Sequence, residues 1–195
     1  MAGRRVAAGL VLAALGLTAA GCGLGSTKTV TVGHAHTVTT TVTVTTTGSA
    51  ASTPPCTGQQ LSGTFVLVPG SAGAGQIEYG LTLTNTSHAA CYVRGVPKAA
   101  LLNAAAAALP THVTAAGGSA PTRIVLQPGA SAVAHARFSP DVPGQGDSQS
   151  GACQPQAHTL QVTPNGGGVT DAAIKPITSV CERGTLNFET LGYAG

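Results

Sequence analysis

Leu81-Thr82-Leu83-Thr84-Asn85-Thr86-Ser87-His88-Ala89-Ala90-Cys91-Tyr92-Val93-Arg94-Gly95-Val96-Pro97 joins an alternating strand, a polar turn, a cysteine and a Gly-x-Pro break in one run. Leucine alternates with threonine at the period of two that a half-buried strand requires. Asn85-Thr86-Ser87 then ends the strand with side chains that hydrogen-bond their own backbone, and Cys91 opens a second short strand that Gly95 and Pro97 close. Asn85-Thr86-Ser87 also spells an N-glycosylation triplet, but Asx-turn chemistry accounts for the same residues. The run is structural, and the other cysteines beyond residue 50 make sense as its partners.

The same texture continues on both sides. Strands are expected near Gly63 to Val68, Gln76 to Thr84, Cys91 to Arg94, Lys98 to Leu102, Ala106 to Thr111, Thr122 to Leu126, Ser131 to Phe138, His158 to Thr163, Val169 to Ile174 and Gly184 to Glu189. Pro69-Gly70, Pro128-Gly129 and Pro164-Asn165-Gly166 separate them where turns are needed. Many short strands over about 140 residues predict an all-β domain from residue 56 to 195, a two-sheet antiparallel Ig-like sandwich in the loose sense. The segment Ala99 to Pro110 conflicts with this, because its alanines and leucines favour helix and Leu101, Ala105 and Leu109 fall on one helical face. A hairpin turning near Asn103 to Ala105 is preferred, since so short a helix is marginal alone and its neighbours read as strands.

Cys56, Cys91, Cys153 and Cys181 form an even set in a chain whose leader marks it for export, which predicts two disulfides. No Cys-x-x-Cys pair is present to favour metal. Of three connectivities, Cys56 to Cys91 and Cys153 to Cys181 are preferred, because each joins sequence neighbours that flank strand pairs. No free thiol is then left as a nucleophile.

Residues 1–21 read as a signal peptide. Arg4 and Arg5 give a positive start, and Val6 to Ala20 form an apolar run of about fifteen residues, short for a membrane span. The run ends in Ala19-Ala20-Gly21-Cys22, which resembles the lipobox of bacterial lipoproteins, so Cys22 is the expected lipidation site. Residues 22–55 follow as a disordered Thr/Val-rich linker, with Val and Thr alternating but no large side chain for either face to pack. Thirty extended residues would span up to ~100 Å, enough to lift a domain away from a membrane. His34-Ala35-His36 within it lacks a third metal ligand.

Composition narrows function further. The net charge of +3 falls to +1 once Arg4 and Arg5 leave, so the basic footprint of a nucleic-acid binder is absent. No Gly-x-Ser-x-Gly elbow, phosphate loop or His-Glu-x-x-His occurs. A dispersed triad from His135 or His158 with Asp141 or Asp147 has no nucleophile motif to support it, and Asp141 to Ser150 does not match a calcium loop. No catalytic residue, metal ligand or cofactor is expected, and the domain is expected to be a monomer.

Cys56, the strand ending in Asn85-Thr86-Ser87, Cys91-Tyr92-Val93-Arg94-Gly95-Val96-Pro97, Val125-Leu126-Gln127-Pro128-Gly129, Cys153 and Cys181 before a final strand together resemble the actinobacterial secreted domain of unknown function 4232. The resemblance covers about Cys56 to Phe188. It departs at Ala106 to Ala108, where a glycine-bearing turn is typical. It implies a lipoprotein or membrane-tethered protein and brings no activity. The expectation is an exported protein, held by the lipid on Cys22 at the outer face of the cell membrane, presenting a non-catalytic module to an envelope protein or cell-wall polymer. A spacer without a ligand is the alternative, and a hydrolytic enzyme the remote one.

Overall fold

The computed structural model describes residues 26–32, 40–46, 52–117 and 120–194, and the chain divides into two units, residues 1–51 and 52–195. Residues 1–21, read above as a signal peptide, Cys22 and the His34/His36 pair lie outside the described residues. In the first unit, β1 (Ser26–Val32) and β2 (Thr40–Thr46) pair antiparallel, with Val30 opposite Val42. Both strands fall within residues 22–55, for which the sequence predicts a disordered linker. Its alternating Val and Thr have the strand propensity that pairing uses, and a ladder satisfies backbone groups without needing large side chains.

The second unit is all-β. Its strands are β3 (Leu61–Leu67), β4 (Ile77–Asn85), β5 (Cys91–Arg94), β6 (Lys98–Leu102), β7 (His112–Ala115), β8 (Arg123–Leu126), β9 (Ser131–Phe138), β10 (Ala157–Thr163), β11 (Thr170–Thr178), β12 (Thr185–Phe188) and β13 (Gly192–Tyr193). Hydrogen bonding joins nine of them in one sheet, in the order β6-β10-β11-β3-β4-β9-β12-β7, with β13 also on β9. β5 and β8 pair separately. The sheet is mixed, since β11 meets β3, and β12 meets β7, in parallel.

The expected division into two Ig-like sheets is therefore corrected to one nearly closed, barrel-like sheet plus a small one. A curled sheet and a sandwich both require apolar residues at every second position facing inward, so the pattern cannot tell them apart. The core shows the alternation. In β4, Tyr79, Leu81 and Leu83 point inward, and in β9 they face Ala136, Ala134 and Ala132 across the ladder. Large side chains on one strand thus meet small ones on the next, which lets neighbouring strands share a tight interior. Phe65, Tyr79, Phe138 and Phe188 form a chain of tilted rings with centroids 5.2 to 5.9 Å apart. Burying each contributes about 1.5–3 kcal/mol.

Ala99 to Pro110 is a hairpin and not a helix. The Asn103 side-chain carbonyl accepts the N–H groups of Ala105 and Ala107, and Leu109 donates back to the Leu101 carbonyl at 2.8 Å. Asn103 thus supplies an Asx turn that outweighs the helix propensity of the alanines. The strand expected at Ala106 to Thr111 is displaced to β7, leaving Leu102 and Ala108 as an isolated bridge. This hairpin connects β6 and β7, the first and last strands in the sheet order.

Candidate functional site

β5 and β8 position the most site-like part of the domain. Cys91 and Val93 face the core opposite Leu126 and Ile124, which turns Tyr92, Arg94, Arg123 and Val125 to the other face. Arg94 and Arg123 are then directly opposite one another. The free edge of β5 is held at three points. The Cys56 N–H reaches the Tyr92 carbonyl at 2.8 Å, the Tyr92 N–H reaches the Pro54 carbonyl at 2.9 Å, and the Asn165 side-chain amide pairs with both backbone groups of Arg94. Asn165 comes from the Pro164-Asn165-Gly166 turn, where it takes the place of a strand partner.

Two cavities flank Arg94. One, of about 320 Å³, has an apolar floor of Val93, Val96, Val162 and Leu191 and a rim bearing Arg94 and Lys98. Leu191 is fixed there by its N–H to the Gly95 carbonyl at 3.0 Å. The other, of about 430 Å³, is lined by Pro54, Pro55, Pro121, Tyr92, Arg94 and Arg123. The Arg123 guanidinium lies over the Tyr92 ring, 4.1 Å from its centroid, and donates to the Thr53 carbonyl. Arg94 Nε donates to the Pro121 carbonyl at 3.2 Å. Among the described residues, no carboxylate lines either cavity. An apolar floor with a few cations at the rim suits binding of a ligand that carries negative charge.

The cysteines pair as Cys56 with Cys91 and Cys153 with Cys181, with Cα atoms 4.8 and 5.4 Å apart. Asn85 is fully buried, and its side chain is consumed by Ser87, Ala89 and Leu126. His135 stands beside Glu78 at 3.3 Å and Glu189 at 3.8 Å on the outer side of β9. It is not brought to Asp147. Asp147 instead accepts the backbone N–H groups of Gly144, Glu182 and Arg183 and the side-chain N–H of Gln154. Those four donors occupy the four acceptor positions of an ionised carboxylate, leaving none for calcium or for a histidine. Asp147 also lies within 4.8 Å of the Cys153 and Cys181 sulfurs, but these are bonded to each other.

Asp147 locks the loop of residues 144–147 to the turn at Cys181–Gly184. Burial acts to raise its pKa, yet the bonds from Gln154, Gly144, Arg183 and Glu182 together outweigh it and pull the group from 3.8 down to about 2. A carboxylate with a depressed folded pKa stabilises the fold above its unfolded pKa and loses that contribution as pH falls through the folded value. Wild-type stability is therefore expected to fall between about pH 4 and pH 2 through this group. In Asp147→Asn that component should vanish, with the neutral-pH stability lowered because an amide NH₂ then faces N–H donors. Chemical denaturation across pH 2 to 5 checks this, and parallel pH profiles for the two proteins would refute it.

The Arg94–Arg123 juxtaposition is the feature that sequence reasoning missed. Each arginine sits at a strand end beside a turn, but which strands pair is not written in either. The family model described as Domain of unknown function (DUF4232) matches residues 56–191. No curated protein and no solved structure matches the chain.

Proposed function

The chain belongs to the DUF4232 family, and we propose that it is an exported lipoprotein of an actinobacterial cell envelope whose β-domain is a non-catalytic binding module. The observation that carries the binding role is the pair of cavities about Arg94, with cations and no carboxylates at their walls. The Cys56–Cys91 bridge ties the segment walling one cavity to β5, which lowers the ordering cost of binding there. A spacer has no need of them. Export is supported by the leader and lipobox-like Ala19-Ala20-Gly21-Cys22, and two disulfides suit an oxidising compartment.

Anchoring is tested by Cys22→Ser. The variant is expected to appear in the culture medium while wild type stays with the membrane, and unchanged membrane retention would remove the lipoprotein reading. The binding role is tested by cross-linking the native protein in cells and identifying what it retains. Enrichment of one envelope component over a control lipoprotein supports it, and recovery identical to the control would leave a spacer.

A further inference from the structure

Arg94 and Arg123 occupy opposite positions of a two-stranded ladder, where like charges repel. Among the described residues, no carboxylate lies within ion-pair distance of either, or of Lys98. The domain has few charges to spare. Apart from Arg4, Arg5 and Lys28, the chain has only Arg94, Lys98, Arg123, Arg137, Lys175 and Arg183 as permanent cations, and half of these line the two cavities. All six carboxylate side chains lie elsewhere. The two guanidinium groups are met only by backbone carbonyls and, for Arg123, by the Tyr92 ring, so an anionic ligand can supply the counter-charge that the domain does not.

The guanidinium groups are also held in place. Arg94 bonds the Pro121 carbonyl and Arg123 the Thr53 carbonyl, while the Arg94 backbone is clamped by Asn165. Each guanidinium has five N–H donors, so most remain for an oxyanion. Arg94 belongs to the walls of both cavities, Lys98 lies at the rim of one and Arg123 in the other. The cations therefore form a track, not a single pocket, and suit acid groups repeated along a chain. Pro54, Pro55, Pro121 and the Tyr92 ring offer rigid C–H and aromatic surface against which a hydroxylated chain can lie. A membrane surface fits less well, because the exposed large apolar side chains Val66, Val142, Val169, Ile177 and Tyr193 are absent from both cavity walls.

We propose that Lys98, Arg94 and Arg123 form an anion-binding track for an extended glycan or polyol polymer bearing phosphate or carboxylate groups along its length. The proposal rests on the binding-module reading and gives its ligand class. The full chain is titrated with poly(glycerol phosphate), with polygalacturonate, with neutral dextran and with vesicles containing an anionic phospholipid. Binding to at least one polyanion is expected, weakening as salt rises, and the two polyanions distinguish phosphate from carboxylate. Arg94→Gln with Arg123→Gln should weaken it by about tenfold or more while the domain stays folded, because the lost repulsion offsets part of the lost bonds to the Pro121 and Thr53 carbonyls. Equal binding by that double variant, dextran bound as well as the polyanions, or binding to vesicles alone would each overturn the proposal.

Should the glutamine pair not fold, Arg94→Lys with Arg123→Lys takes its place. Binding several-fold weaker than wild type and still salt-dependent supports the track, and affinity insensitive to both salt and substitution overturns it. Capture from whole envelope material separates the two levels. A neutral component retained equally by wild type and the glutamine pair ends the polyanion proposal and keeps the binding module. Nothing retained from the envelope, and no polymer bound, ends both.

Discussion

Gly184→Ala is expected to destabilise the domain by about 3–5 kcal/mol, among the largest effects available to a single methyl group. Three residues in succession, Glu182, Arg183 and Gly184, have φ of 54°, 57° and 78°, and this left-handed turn redirects the chain from Cys181 into β12. For an L-residue that conformation costs about 1–2 kcal/mol. The lack of space costs more. A Cβ at Gly184 would overlap the Pro110 carbonyl oxygen and lie 2.6 Å from its carbon, and backbone cannot rotate away as a side chain can. Relief would require moving the segment that leads into β7, which is paired with β12. Gly129→Ala supplies the control. Gly129 has φ of 81° with nothing within 4 Å of the added Cβ, so only the conformational cost of about 1–2 kcal/mol should appear. Urea denaturation should show a midpoint lowered by about 2 M for Gly184→Ala and much less for Gly129→Ala. Equal shifts would mean that the close approach to Pro110 is not what requires glycine.

Cys56→Ala with Cys91→Ala should cost about 4 kcal/mol. The bridge closes a sequence separation of 35, for which loop-closure entropy alone gives roughly that amount. Both cysteines are fully buried, and alanine avoids placing a hydroxyl in the core, although it leaves a small void. Cys153→Ala with Cys181→Ala should cost a similar amount, since its separation of 28 changes the logarithm little. The two losses differ in where they act. Removing the first leaves the Pro54–Cys56 segment held to β5 by two backbone hydrogen bonds alone, and with it the Thr53 carbonyl that holds Arg123, so the Tyr92–Arg123 stacking should loosen before global unfolding. Removing the second should leave that face intact. Tyrosine fluorescence and hydrogen exchange at Tyr92 in the folded variants report the difference, and identical local protection in both would sink this assignment of roles.

Much of the architecture could be read from local chemistry. The alternation in Leu81–Leu83 and Val133–Phe138, the turns at Pro128-Gly129 and Pro164-Asn165-Gly166, and the Asx turn at Asn85 are decided by residues within a few positions of one another. The Asn103 turn falls between these cases. Alanine propensity argued for helix, and the single asparagine that accepts two backbone N–H groups settled it for the hairpin. Asp147 was visible only as a candidate calcium ligand or triad member, because its donors Glu182 and Arg183 come from 35 and 36 residues further on.

Composition, periodicity and cysteine number determined by themselves that the domain is all-β and stapled, and that its N-terminal stretch is unlike the rest. These properties follow from which side chains alternate and which can cross-link. Only the tertiary structure decided that nine strands share one curled sheet, because the inward-facing pattern is the same whether a strand hydrogen-bonds to the next in sequence or to one a hundred residues away. The same long-range pairing set Arg94 opposite Arg123 and lined two cavities with cations, since the repulsion between two arginines exists only once strand register has brought them together.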